Sequence, residues 1–189
     1  MNKTNSVKVQ KLVQAAMLVA LSILLMFAVR FPLFASAPFL EYDMADVPVL
    51  IASVILGPSY GIVVLLITCI IQAFTVSAAA SYYGLIMHFI ASGALVLIAG
   101  LMFKKFHNAK GLILGLVLGA IAMTVLMIPL NILITPLYMG VPREAVIALL
   151  VPAIIPFNAA KAGINAVITA ILYFPLSKAL EKAMLREKK

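Results

Sequence analysis

The sequence predicts an all-α membrane protein, a bundle of six transmembrane helices with an ordered loop between the first two. Three observations carry this prediction: the composition, the lengths of the apolar runs and the positions of the basic residues. Of the 189 residues, 65% are hydrophobic and 11% are charged, whereas roughly a quarter of the residues in soluble domains are charged. A soluble fold of this size cannot bury so much apolar surface, so we expect lipid to surround one membrane domain over residues 1–189.

Apolar runs long enough to cross a bilayer occur four times. A helix needs about 20 apolar residues to span the hydrocarbon with every backbone group bonded internally. These runs cover residues 12–29, 83–103, 112–137 and 146–176. A fifth run, residues 47–80, is too long for one span and is interrupted by Gly57 and Pro58. Because glycine ends helices and proline starts them, this run predicts two rather short helices.

The basic residues predict the orientation of the helices. Positive clusters mark the cytoplasmic side of a membrane protein. Eleven of the 14 Lys and Arg residues fall in three clusters at span ends, Lys3/Lys8/Lys11, Lys104/Lys105/Lys110 and Lys178/Lys182/Arg186/Lys188/Lys189. The first two clusters share a side only if an even number of crossings separates them. Residues 12–29 and 83–103 supply two crossings, so residues 47–80 must supply two or none, and their length favours two. We therefore expect six helices with both termini in the cytoplasm, and no nucleic-acid site, because the basic clusters are separate.

Three of the six acidic residues lie close together after the first span. Glu41, Asp43 and Asp46 all belong to the first loop (residues 30–46). The orientation above places this loop outside the cell, and its many proline and aromatic residues predict an ordered cap. Asp46 is suited to cap the second helix, with Pro48 in the first turn. The residues alone assign no role to Glu41 or Asp43.

The last span carries the strongest polar pattern. Asn158, Lys161 and Asn165 recur at steps of three and four residues, which places them on one face of a helix. A charged group deep in a membrane costs about 2.5–3.5 kcal/mol, so it normally faces a polar cavity or a partner. The alternative is that Lys161 extends to the outer interface while the asparagines join helices. Asn131 lies near the outer end of the preceding span, on the same side of the membrane as this stripe.

This polar set indicates a site for a small planar heterocycle. Amides match the donors and acceptors of such a ring, and apolar side chains enclose its faces. Candidates for the apolar faces are Phe39, Leu40, Met44 and Phe157. His88 has no ligating neighbour at metal spacing, so we expect a packed, hydrogen-bonded histidine and no metal site. Ala16 and Ala20 form a small-residue surface on the first span that suits close helix approach.

Several of these segments together resemble the riboflavin-specific substrate-binding subunits (S components) of energy-coupling factor (ECF) vitamin transporters. The features that match are residues 15–20, residues 40–48 followed by Gly57 and Pro58, Asn131, and residues 156–163. They extend from the first helix to the last, and the six-helix length also fits this family.

The resemblance implies a multi-pass subunit of a bacterial cell membrane that binds riboflavin from outside and has no ATPase of its own. It implies riboflavin as substrate and no catalytic cofactor. The first helix would dock through Ala16 and Ala20 onto a membrane coupling subunit that carries two cytoplasmic ATPases. The binding residues that it implies are Leu40, Asp43, Asn131, Asn158 and Lys161, with Glu41 and Asn165 at less regular positions of the pattern.

Two other functions stay open from the residues alone. A stand-alone carrier for a planar heterocycle, driven by protons or sodium, needs an acidic residue inside a span, and no Asp or Glu lies deep in an apolar run. An intramembrane enzyme needs clustered acids, or a nucleophile with a base, at membrane depth. The deep polar set here consists of amides and one lysine, and the phosphate-binding sequence of ATPases is absent. We therefore expect a transport subunit rather than an enzyme.

Overall fold

A computed structural model describes residues 3–35, 37–78 and 80–186, with the side chains of residues 7–35, 37–78 and 80–177. The described chain is almost wholly helical. Its helices are α1 (Lys3–Ala28), α2 (Asp46–Ile55), α3 (Pro58–Phe74), α4 (Ser81–Phe106), α5 (Ala109–Met139), α6 (Arg143–Leu149) and α7 (Ile155–Arg186). A π-helical turn, Leu150–Ile154, joins α6 to α7. Lys188 and Lys189 lie outside the described residues, as do the side chains of Lys3, Lys178, Lys182 and Arg186.

Four helical segments are long and apolar enough to cross a membrane. They are Val7–Ala28, Ser81–Phe106, Ala109–Met139 and Arg143–Ser177, which confirms the four long runs predicted from the sequence. The fifth run forms two shorter apolar helices, α2 with 10 residues and α3 with 17. The prediction of a helix break at Gly57 and Pro58 is therefore confirmed. Membrane crossing by α2 and α3, and with it the count of six spans, stays a prediction.

Local chemistry explains where these helices begin and end. Gly57 has a φ of 113°, a backbone conformation that glycine adopts without strain, and Pro58 follows as the first residue of α3. At the turn between α4 and α5, His107 adopts the left-handed conformation. Asn108 then caps α5, its side-chain oxygen accepting a hydrogen bond of 2.8 Å from the amide of Gly111.

Helix α2 occupies the centre of the bundle. Nine of its ten residues are buried, and it packs against α1, α3, α4 and α7. Ser53 donates a 2.7 Å hydrogen bond to the carbonyl of Val96 on α4. Glycines allow close approach nearby, since a Cβ on Gly61 would lie 2.5 Å from the Ser53 Cβ. The short helix is therefore enclosed by longer ones.

The outside of the bundle is apolar. Large hydrophobic side chains on different helices are more than half exposed, including those of Met17, Phe74, Val151 and Ile171. In water such a surface would be unfavourable, whereas lipid tails solvate it without cost. The distribution therefore agrees with a protein that has lipid as its solvent.

The first loop is ordered over its described residues and contains two short strands, which the all-α prediction did not include. Strands β1 (Arg30–Pro32) and β2 (Glu41–Asp43) pair antiparallel, with Arg30 opposite Asp43 and Phe31 opposite Tyr42. The Phe31 and Tyr42 rings lie 5.4 Å apart between centroids. Arg30 and Glu41 form an ion pair, with 2.8 Å between the Arg30 Nε and the Glu41 Oε2. These contacts join the two strands of the loop to each other.

Candidate functional site

A cavity of about 150 Å³ lies between the first loop and helices α3, α4, α5 and α7. The seven binding residues implied by the family resemblance lie on its wall with one exception. Those on the wall are Leu40, Glu41, Asp43, Asn131, Asn158 and Lys161. They come from β2 and the preceding residue, from α5 and from α7, so the fold brings together groups that are up to 121 residues apart in the chain.

Asn165 is the exception. Its side chain is fully buried and is not part of the cavity wall. Its Oδ1 accepts a 2.9 Å hydrogen bond from the hydroxyl of Tyr42. Burial raises the pKa of this tyrosine, so the hydroxyl stays protonated and able to donate. Asn165 therefore connects α7 to β2, which positions the first loop over the cavity.

Lys161 is paired inside the protein rather than extended to an interface. It is 7% exposed, and its Nζ donates to the Asp43 Oδ2 over 2.8 Å. The alternative of a lysine reaching the outer interface is therefore wrong for this structure. Asp43 also accepts from the backbone amide of Ala45 and, over 3.3 Å, from Gln72 Nε2. One carboxylate thus joins the first loop to α3 and α7.

The predicted role of Asp46 as a helix cap is wrong. Ala45 occupies the N-cap position without a side-chain hydrogen bond, and Asp46 is the first residue of α2. The carboxylate is fully buried and accepts a 3.0 Å hydrogen bond from the hydroxyl of Ser92, while His88 Nε2 lies 2.9 Å from its other oxygen. Hydrogen bonds to a buried carboxylate are strong, and two partners on α4 outcompete the backbone amides of its own helix.

His88 is a packed, hydrogen-bonded histidine, as predicted, and it also lines the cavity. Its partner Asp46 is 42 residues away, so spacing in the sequence could not identify the pair. Buried acidic groups do occur in this protein, but the first loop and the start of α2 supply them. The long spans contain none among their described residues.

The amides on the cavity wall have fixed orientations. Asn158 donates through Nδ2 to the carbonyl of Ile154 over 2.8 Å, and its Oδ1 has no protein partner among the described residues. Asn131 donates through Nδ2 to the carbonyl of Met127, and its Oδ1 accepts from Thr135. Because a carbonyl only accepts, the nitrogen of each amide must face it. Asn158 therefore keeps a buried, free acceptor beside the cavity, whereas both polar atoms of the Asn131 side chain have partners.

A π-helical turn ends at Ile154, three residues before Phe157, and the sequence analysis missed it. Pro152 and Pro156 lie in and just after this turn. Pro156 has no N–H, so the carbonyl of Pro152 lacks the usual partner four residues ahead. Insertion of a wider turn accommodates the defect, and such turns are frequent at functional sites. Two prolines spaced four residues apart in an apolar span were the available signal.

The sequence analysis missed several further residues on the cavity wall. Arg30, Gln72 and His88 all line it. Gln72 is the only residue of α3 with an amide side chain, and an amide within an apolar run marks a candidate site residue. Of the predicted apolar faces, Phe39, Leu40 and Phe157 line the cavity, and Met87, Met123 and Met127 join them, but Met44 does not. The described residues contain no group of three potential metal ligands.

Ala16 and Ala20 lie on the surface of the bundle. Both are exposed on α1, whereas the neighbouring Ala15 is buried in the core. The small-residue surface predicted from the sequence is therefore available to another helix.

Comparison with known proteins identifies the family. A family model described as "ECF transporter, substrate-specific component" matches residues 10–173. The riboflavin transporter FmnP of Bacillus subtilis (strain 168) is 34% identical over 183 residues, covering 93% of this chain and 96% of that protein. The riboflavin transporter RibU of Streptococcus thermophilus is 36% identical, covering 92% and 85%.

The fold agrees with this assignment. A solved structure of the S component of a bacterial ECF transporter superposes with a TM-score of 0.78 at 31% identity, covering 92% of this chain and 98% of that chain. The chain belongs to the family of substrate-specific components of ECF transporters.

Proposed function

We propose that this protein is the riboflavin-binding subunit of an ATP-driven ECF-type vitamin uptake transporter. It binds riboflavin at the outer side of a bacterial cell membrane and has no ATPase of its own. The observation that carries the proposal is the convergence of six residues, implied by the family resemblance, on one cavity beneath the first loop. The named riboflavin transporters to which the chain is similar support the choice of substrate.

The chemistry of the cavity supports a flavin ring. Lys161 has further N–H groups besides the one bonded to Asp43, and Asn158 has a free acceptor three residues earlier on the same face of α7. This donor and acceptor match a neighbouring carbonyl and N–H on the polar edge of an isoalloxazine ring. Phe39, Leu40 and Phe157 supply apolar contact for the ring faces.

The orientation and the partners are part of the proposal. Six crossings with both termini in the cytoplasm put the cavity on the outer side, as nutrient capture requires. Membrane-impermeant thiol labels test this in a Cys69→Ala background, where Arg143→Cys should react in intact cells and Lys105→Cys should not.

We infer that Ala16 and Ala20 dock onto a membrane coupling subunit that carries two cytoplasmic ATPases, because their exposed surface permits close helix contact.

A stand-alone ion-coupled carrier is the alternative. It needs a buried acidic group that gains and loses a proton or a sodium ion. Asp43 and Asp46 are buried, but each already has charged or hydrogen-bonding partners in Lys161, Gln72, His88 and Ser92. Groups paired in this way serve to hold the first loop and α2, which supports the substrate-binding subunit instead.

Purification of the protein in detergent tests the proposal. We expect riboflavin to copurify as yellow colour with flavin absorption, and saturating riboflavin to raise the melting temperature of the flavin-free protein. Ligand stabilisation at a hundredfold excess over Kd amounts to about 2.7 kcal/mol. A protein that neither copurifies with flavin nor responds to it in melting temperature is not a riboflavin subunit.

A further inference from the structure

Gln72 on α3 has a buried, unmatched hydrogen-bond acceptor beside the cavity. Its side chain is 9% exposed and lines the cavity wall. Nε2 donates to the Asp43 Oδ2, and Oε1 has no partner among the described residues. Because a carboxylate only accepts, the nitrogen must face Asp43, and the oxygen is necessarily the free group. A buried acceptor without a partner is unfavourable, so this position favours a ligand that supplies a donor.

The other unmatched groups narrow the ligand chemistry at this position. Asn158 Oδ1 is a second free acceptor on the wall, and Arg30 Nη1 is a free donor beside Glu41. A single ligand that satisfies both of these acceptors, which lie on different helices, must supply at least two donors. The polar edge of an isoalloxazine ring has a single N–H between two carbonyls, and Asn158, next to Lys161 on α7, is suited to accept it. A further donor must therefore come from another part of the ligand.

In riboflavin that part is the ribityl chain, whose hydroxyl groups all donate. One carbonyl of the polar edge lies on the side of the ring system that carries this chain. Gln72 and Lys161 bond to the same oxygen of Asp43, so the two side chains lie beside each other. A lysine that donates to this carbonyl thus puts Gln72 next to the ribityl chain.

We propose that Gln72 is a specificity-determining residue that accepts a hydrogen bond from a ribityl hydroxyl. Asp43 positions it by fixing the direction of the amide. The cavity then distinguishes riboflavin from flavins that lack a hydroxyl chain. This inference rests on the proposed function and extends the binding site to α3.

Paired titrations with riboflavin and lumiflavin, which has the ring system without the ribityl chain, test this role. We expect the wild-type protein to bind riboflavin at least about tenfold more tightly than lumiflavin. Gln72→Met keeps the side-chain length and removes both polar atoms. It should weaken riboflavin binding by about tenfold or more and change lumiflavin binding less than about twofold, since one hydrogen bond to a buried acceptor is lost.

Thr68→Val is the matched control. Thr68 lies one turn earlier on α3, is fully buried, bonds to its own helix at the Val64 carbonyl and does not line the cavity. Both flavins should bind this variant as they bind the wild type. Gln72→Leu should reproduce the selective loss, and it decides the question if Gln72→Met does not fold.

Each outcome has one meaning. Selective loss of riboflavin affinity supports the proposal. Equal loss for both flavins means that Gln72 only supports Asp43, and unchanged affinity means that it contacts no hydroxyl; either result overturns the proposal and leaves the proposed function standing. Failure of the wild-type protein to bind either flavin refutes the proposed function, and this inference with it.

Discussion

At the scale of single residues, Lys161 illustrates what a sequence pattern can and cannot establish. Its position on one face with Asn158 and Asn165 predicted a buried polar stripe, and all three side chains are buried. The partner of the lysine, Asp43, lies 118 residues away. Helical periodicity reports which residues share a face, but long-range pairs depend on how the helices pack, so no local pattern identifies them.

The Lys161–Asp43 pair leads to a prediction about stability. Lys161→Met leaves a buried carboxylate without its cation, which costs about 3–5 kcal/mol when one partner of a buried pair is removed. We expect the melting temperature to fall clearly. Combining Lys161→Met with Asp43→Asn removes both charges and should recover much of the loss, while riboflavin binding stays weak because the donor is absent. A double variant as unstable as the single one would show that charge burial is not the cause.

Asn158 leads to a prediction about affinity. Asn158→Leu removes the free acceptor of α7, so the ring N–H would be buried without a partner. The reduction in riboflavin affinity should be about ten- to a hundredfold, as measured by fluorescence titration. Thr169→Val serves as control, because Thr169 is buried further along α7 but does not line the cavity. Equal affinities for wild type and Asn158→Leu would remove this residue from the site.

At the scale of elements, the lengths of the apolar runs predicted the helices. They did not predict the residue that begins α2, the π-helical turn or the strands of the first loop. Runs of apolar residues predicted the four membrane-length segments to within five residues at each end. Helix α1 begins nine residues before its run and α7 continues ten residues beyond its run. Gly57 with Pro58 predicted the break between α2 and α3. Asp46 failed as a cap because its partners on α4 are stronger than the local amides. The π-helical turn was missed because apolar periodicity is insensitive to one widened turn. The paired strands of the first loop are likewise too short to produce a periodic pattern.

Glycines on α5 determine how closely it approaches α4. A Cβ on Gly119 would lie 2.7 Å from the Leu95 Cδ1 and 2.9 Å from the Leu95 carbonyl oxygen. Gly119→Ala should therefore force the two helices apart and cost about 1–3 kcal/mol, seen as a lower melting temperature. Gly163 on α7 has open space around its Cα, so Gly163→Ala should be neutral or stabilising by up to about 1 kcal/mol. Similar melting temperatures for the two variants would contradict this packing.

At the scale of the whole molecule, the cavity and the proposed docking surface occupy different parts of the bundle. The cavity lies beneath the first loop, and α1 presents Ala16 and Ala20 on its outer surface. These alanines are not part of the cavity wall. We therefore expect mutations on α1 to impair assembly with the coupling subunit without impairing riboflavin binding.

Bulky substitution on α1 tests that separation. Ala16→Trp should prevent copurification of the chain with its coupling subunit, because a large side chain blocks close helix contact. Riboflavin affinity should stay within about twofold of wild type, the change expected when no hydrogen bond of the site is lost. Gln14→Trp is the matched control, since Gln14 is also exposed but lies on the other side of the buried Ala15. If Ala16→Trp still assembles, this surface is not the docking site.

The central claim is that the cavity beneath the first loop binds riboflavin, and a titration of the purified wild-type protein tests it most directly. Tyr138 lines the cavity, and a nearby tyrosine quenches an excited flavin by electron transfer, so the fluorescence of bound flavin should fall. We expect saturable quenching with one riboflavin bound per chain, and loss of that quenching in a variant that combines Asn158→Leu with Lys161→Met. Absence of saturable quenching in the wild type, or unchanged quenching in the double variant, would contradict the account.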